Sequence, residues 1–108
     1  MKYKLLVTLL LPVLLFTACG RNVIDVTNEQ VEQAIYQSDD FEVYREEFIA
    51  PTKILVQRAK CSLAELEEIG GWMKSQKNQF DPIYFTYCGG NKISNRLYLN
   101  LDTGKVYK

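Results

Sequence analysis

The chain has 108 residues, with 13 basic and 13 acidic side chains, three cysteines and no histidine. That length suits one domain and not two. The absence of histidine removes the commonest general base, the usual catalytic triads and the histidine-containing zinc sites, and the balanced charge speaks against a nucleic-acid partner, which would need a basic excess.

Lys2 and Lys4 give a short positive start, and Leu5 to Phe16 is then almost wholly apolar, interrupted by Thr8 and Pro12. A run of about a dozen apolar residues suits the hydrophobic region of a signal peptide and is too short to cross a bilayer as a helix. The small pair Thr17 and Ala18 follows, and then Cys19. This arrangement resembles the lipobox of bacterial lipoproteins, with Phe16 standing where the family usually has leucine. The resemblance covers residues 1–20. It implies cleavage before Cys19, acylation of that cysteine, and attachment to a lipid bilayer through N-terminal acyl chains. One chain anchors marginally, whereas two or three anchor firmly. Gly20 stands where an Asp retains enterobacterial lipoproteins at the inner membrane. In a Gram-negative host the resemblance therefore implies an outer-membrane lipoprotein facing the periplasm. The alternative is an ordinary secretory leader cut after Ala18, with Cys19 left as a thiol.

The expected organisation is a signal peptide over 1–18, the lipidated Cys19 with a short tether over 19–26, and a single domain over 27–108. The leader holds Lys2 and Lys4 and no acidic residue, so the remaining body has a net charge of −2. Acidic residues crowd the segment from Glu29 to Glu47, and basic ones the segment from Lys92 to Lys108. Such faces attract each other on folding or orient the domain towards a charged partner. With Cys19 committed to lipid, Cys61 and Cys88 form an even pair in an oxidising compartment, and a structural disulfide is expected. A redox-active pair is the alternative, without support from any Cys-x-x-Cys spacing.

In chain order, Thr27 and Gln30 fit a capping box, and Val31, Ala34 and Ile35 follow at helical spacing. A helix is expected from Asn28 to about Gln37, ended by Ser38-Asp39-Asp40. Phe41, Val43 and Arg45 alternate with Glu42, Tyr44 and Glu46, which predicts a strand to about Phe48. Ala50-Pro51-Thr52 reads as a turn. Alternation and β-branched content then predict a second strand over Lys53 to Cys61. Ser62 and Glu65 form a second capping box, and Leu63, Leu66, Ile69 and Met73 recur every three or four residues. A helix from Leu63 to about Gln76 is expected, continuing through Gly70-Gly71 despite about 1 kcal/mol lost per glycine relative to alanine. Trp72 reads as packing.

Lys77 to Asp81 is a polar loop ended by Pro82. Ile83 to Cys88 reads as a central strand, and Gly89-Gly90-Asn91 as a turn. Leu97, Leu99 and Leu101 alternate with Arg96, Tyr98 and Asn100. Asp102-Thr103-Gly104 reads as a hairpin loop, and Lys105 to Lys108 as a terminal edge strand. The expected fold is α+β. Two helices lie on one face of a mainly antiparallel sheet of four to five strands, with one disulfide between Cys61 and Cys88.

Little in this body carries chemistry. With its cysteines paired it offers no thiolate. Gly89-Gly90 precedes a strand rather than a helix, unlike a phosphate-binding loop. Asp39 and Asp40 suit turn and capping duty, and Asp39, Asp40 and Glu42 lack the spacing of a calcium loop. No metal or cofactor is expected. The tyrosines are the better clue. Tyr84, Tyr87, Tyr98 and Tyr107 cluster in the C-terminal strands, and by alternation some must face away from the helices. An exposed tyrosine-rich face is a contact surface of the type interfaces favour, or it covers the open side of a thin sheet. The expectation is a non-enzymatic envelope lipoprotein whose small domain binds another envelope protein, in a role such as assembly, inhibition, exclusion or immunity. The alternatives are a carboxylate-dependent envelope hydrolase and a structural envelope component.

Overall fold

The computed structural model describes residues 23–77 and 79–108. The expected signal peptide, Cys19, Gly20 and the start of the expected tether lie outside the described residues. The fold is α+β: three helices pack with a four-stranded antiparallel sheet, and one disulfide joins Cys61 to Cys88.

Helix α1 (Asn28–Ile35) starts where its capping box sets it. The Gln30 amide donates to Thr27 Oγ1 at 3.1 Å, and the Thr27 amide donates to Gln30 Oε1 at 2.9 Å. Two donors that the first turn leaves unpaired are thereby satisfied. Val31, Ala34 and Ile35 face the core.

The two strands expected between Phe41 and Cys61 do not form. One helix, α2 (Phe41–Gln57), replaces them and carries Pro51 inside it. The alternating pattern misleads because Val43 is 70% exposed, whereas Phe41, Phe48, Thr52 and Val56 are buried. With the half-buried Tyr44 these positions recur every three or four residues, the period of a helix and not of a strand. The chain bends at Tyr44, whose φ of −119° and ψ of 32° are not helical. Pro51 lacks an N–H for the helix ladder; beside it, the buried Thr52 donates its Oγ1 hydroxyl to the Phe48 carbonyl at 2.6 Å. The helix closes in a Schellman motif. The Lys60 amide donates to the Leu55 carbonyl at 2.8 Å and the Ala59 amide to the Val56 carbonyl at 3.0 Å, with Ala59 left-handed at φ 59°.

Helix α3 (Leu63–Ile69) carries the second capping box as expected but stops at the glycines. Gly70 takes φ 90°, and the Gly70 and Gly71 amides donate to the Glu67 and Leu66 carbonyls at 3.2 and 2.9 Å. Beyond it, the residues expected to continue the helix form a short strand, β1 (Met73–Lys74). Strands β2 (Ile83–Tyr87), β3 (Arg96–Asn100) and β4 (Lys105–Tyr107) complete a sheet in the order β1-β2-β3-β4, every pair antiparallel. A 3-10 turn over Ile93–Asn95 leads into β3.

Trp72, Tyr84, Phe48, Ile35, Leu66 and Leu99 are the largest fully buried side chains. Trp72 holds the layers together. Its amide donates to Ser38 Oγ at 2.8 Å, its carbonyl accepts from the Asp39 amide at 2.9 Å, and its indole N–H donates to Thr52 Oγ1 at 2.9 Å. Cys61 lies in the connection between α2 and α3 rather than at a strand end, and its disulfide ties that connection to the end of β2. The packed domain also takes in the end of the expected tether. Val26 is buried, and the Ile24 amide donates to the Gln57 carbonyl at 2.8 Å.

Candidate interaction face

Strand alternation divides the tyrosines between the two faces of the sheet. Tyr84 and Thr86 point towards the helices and are fully buried. The Tyr84 ring packs edge-on against Phe48 with centroids 5.0 Å apart, and its hydroxyl donates to Asp40 Oδ2 at 2.6 Å. Burial pushes the Tyr84 pKa well above the ordinary tyrosine value, and the hydrogen bond and charge of Asp40 push it further. Tyr84 therefore leaves the set of candidate contact residues and belongs to the core.

The other three expected tyrosines lie on the opposite face. Register sets Phe85 across from Tyr98, Tyr98 across from Tyr107, and Tyr87 across from Arg96. A continuous aromatic row results. Ring centroids are 5.9 Å apart for Tyr87 and Phe85, 6.3 Å for Phe85 and Tyr98, and 5.6 Å for Tyr98 and Tyr107, the last pair stacked. Met73, opposite Phe85 on β1, extends the row to the other edge. Tyr107 is exposed and the rest are half-buried.

Arg96 lies across this row. Its guanidinium carbon is 4.7 Å from the Phe85 ring centre and 5.2 Å from that of Tyr87. It donates to the Tyr87 hydroxyl through Nε at 3.1 Å and to the Tyr98 hydroxyl through Nη1 at 3.3 Å. A planar cation over aromatic faces is attracted by their quadrupoles, and the hydrogen bonds to Tyr98 and Tyr87 raise the pKa of Arg96 further. The result is a rigid platform, apolar across the rings and polar at the hydroxyls, with a fixed positive charge in the middle. Such a surface suits a partner presenting flat apolar area beside a carboxylate.

Phe85, Arg96 and Met73 are the members of this face that the tyrosine pattern alone does not select. Phe85 is signalled by its place between Tyr84 and Tyr87 in an alternating strand. Arg96 becomes visible only with the register that sets it opposite Tyr87.

Asp39 and Asp40 have structural partners. Asp39 Oδ2 accepts from the Lys74 amide at 2.8 Å, and Asp40 holds the Tyr84 hydroxyl. Glu65 accepts from the Ser62 amide through Oε2 at 2.7 Å and from the Gly89 amide through Oε1 at 2.8 Å, linking the start of α3 to the turn after β2. Among the described residues no group of three or more His, Cys, Asp or Glu converges to hold a metal ion, and no helix is long and apolar enough to cross a membrane. Within the acidic segment, Arg45 Nη1 pairs with Glu32 Oε2 at 2.7 Å and joins α1 to α2. No family model, curated protein or solved structure matches the chain.

Proposed function

We propose that the chain is a lipid-anchored protein of the bacterial cell envelope whose domain binds another envelope protein through the open face of its sheet. The observation that carries the binding role is the continuous row Tyr87–Phe85–Tyr98–Tyr107 with Arg96 fixed across it. Aromatic side chains and arginine are the residues enriched at the energetic centres of protein interfaces. They offer large contact area with little rotamer freedom left to lose. The leader ending in Cys19 supports the anchor.

The test is photo-crosslinking in intact envelopes, with a photo-reactive side chain at Tyr98 or Tyr107 and a control at Glu29 on α1. A discrete adduct from the sheet positions, absent from the control and weakened by Arg96→Glu, is expected. Equal adducts from all three positions, or none from the sheet, would refute the binding role. The anchor has its own check. Cys19→Ser should leave an uncut, unacylated precursor, and a mature acylated form of that variant in the mass spectrum would rule the assignment out.

A further inference from the structure

The same end of the molecule at which the chain enters the domain carries an apolar groove with a basic rim. The Ile24 amide donates to the Gln57 carbonyl, so the chain joins the domain at the C-terminal end of α2. Immediately beyond, Arg58 and Lys60, with Lys108 from the chain's end, line a groove of about 410 Å³ floored by Ile54, Leu55 and Val106. Among the described residues no acidic one lines it. All three basic residues are exposed, and Ile54 is 47% exposed. Asp25, on the entering segment, is exposed too but leaves the face net positive. The acidic side chains Glu32 and Glu42 instead line a different cleft, between α1 and the start of α2.

Five residue steps separate Cys19 from Ile24. A fully extended chain covers at most about 18 Å over that interval. If acyl chains hold Cys19 in a bilayer, this end of α2 is brought to within roughly two Debye lengths of the surface, and closer when the tether is not extended. Basic residues there meet the negative surface potential of anionic lipids. An exposed isoleucine between them suits the boundary between headgroups and acyl chains.

We propose that this groove is the membrane-facing side of the domain, with Arg58, Lys60 and Lys108 on anionic phospholipid headgroups and Ile54 at the bilayer interface. The inference rests on the lipoprotein reading above and adds an orientation to it. Tyr107, at one end of the aromatic row, also lines this groove, so the part of the row left open to a partner is Tyr87, Phe85 and Tyr98.

The test uses the native acylated protein. Its mass is measured first, so that loss of the anchor is told apart from loss of the orientation. A fluorophore is placed at Ile54→Cys or, as control, at Glu42→Cys, and each protein is reconstituted into vesicles carrying a headgroup-nitroxide lipid. The vesicles are phosphatidylcholine with or without phosphatidylglycerol. In anionic vesicles the Ile54 label should be quenched at least about twofold more than the control, and the excess should vanish in about 0.5 M salt or on Arg58→Glu/Lys60→Glu substitution. Equal quenching at the two positions on a protein shown to be acylated would overturn the orientation. So would equal quenching in neutral and anionic vesicles. Shielding that rises with protein density at fixed lipid would assign the groove to a second copy of the chain instead. A native protein without acyl groups would remove the anchor and the orientation together.

Discussion

Trp72 donates its indole N–H to Thr52 Oγ1 at 2.9 Å, and both side chains are fully buried. Thr52 passes the bond on to the Phe48 carbonyl, one turn earlier in α2. A helix containing Pro51 is thereby clamped to the segment that leads into the sheet. Thr52→Val keeps the volume but strands the indole N–H away from water, which costs about 1–3 kcal/mol. Trp72→Phe removes the donor and leaves a smaller ring. The double variant should be less unstable than the sum of the two, by about 1 kcal/mol, as measured by urea unfolding followed by circular dichroism. Strict additivity would show that the bond contributes nothing.

The disulfide closes a loop with a sequence separation of 27 between Cys61 and Cys88. In the chain-entropy account that constraint contributes about 3 to 4 kcal/mol. A small domain has about 5–15 kcal/mol in all. Cys61→Ala/Cys88→Ala should therefore unfold at markedly lower urea concentration with its sheet intact at low temperature. An unchanged midpoint would mean the cross-link is incidental to stability.

Two helices end with the same hydrogen-bond motif but different residues. At the end of α3 the left-handed position is Gly70, and at the end of α2 it is Ala59. A side chain in that conformation costs about 1 kcal/mol that glycine avoids. Ala59→Gly should therefore stabilise the protein by about 1 kcal/mol, and Gly70→Ala should destabilise it by a similar amount. A thermal-melt comparison checks the sign. Glycine is the better residue at both left-handed positions, so the two reverse exchanges carry opposite signs.

Both capping boxes are legible in the sequence because a cap is a pattern among four consecutive residues. Thr27 with Gln30 and Ser62 with Glu65 form as expected. The β2–β3 and β3–β4 hairpins are legible for the same reason, since turn chemistry at Gly89-Gly90 and Asp102-Thr103-Gly104 is local. Helix α2 is not, because Phe41 to Phe48 satisfies both periods in part and Pro51 resembles a turn. Tertiary burial of Phe48 and Thr52 under Trp72 decides between them. The glycines after Ile69 are ambiguous for a similar reason. An added Cβ on Gly71 would lie 3.1 Å from the Ile35 carbonyl and collide with Ser38 Oγ, a close approach made by a distant segment. At the aromatic face, alternation alone separates Tyr84 from its neighbours, but the row and the place of Arg96 in it depend on strand register.

The Tyr84 hydroxyl gives the domain an alkaline limit. Its pKa is raised in the folded protein, first by burial and then by Asp40, whereas an unfolded tyrosine titrates near 10. Below about pH 10 both states hold the proton and this group adds no pH dependence to stability. As pH rises further the unfolded state loses the proton first, so it binds fewer protons than the folded state and stability falls with pH. The fall continues until the folded pKa is passed. Urea midpoints measured from pH 8 to 11 should therefore drop more steeply for the native chain than for Tyr84→Phe. The variant loses the bond to Asp40 Oδ2, so it should start lower at neutral pH and converge on the native curve at the alkaline end. Parallel curves would show that Tyr84 ionises as readily folded as unfolded, and that its hydroxyl is reached by water.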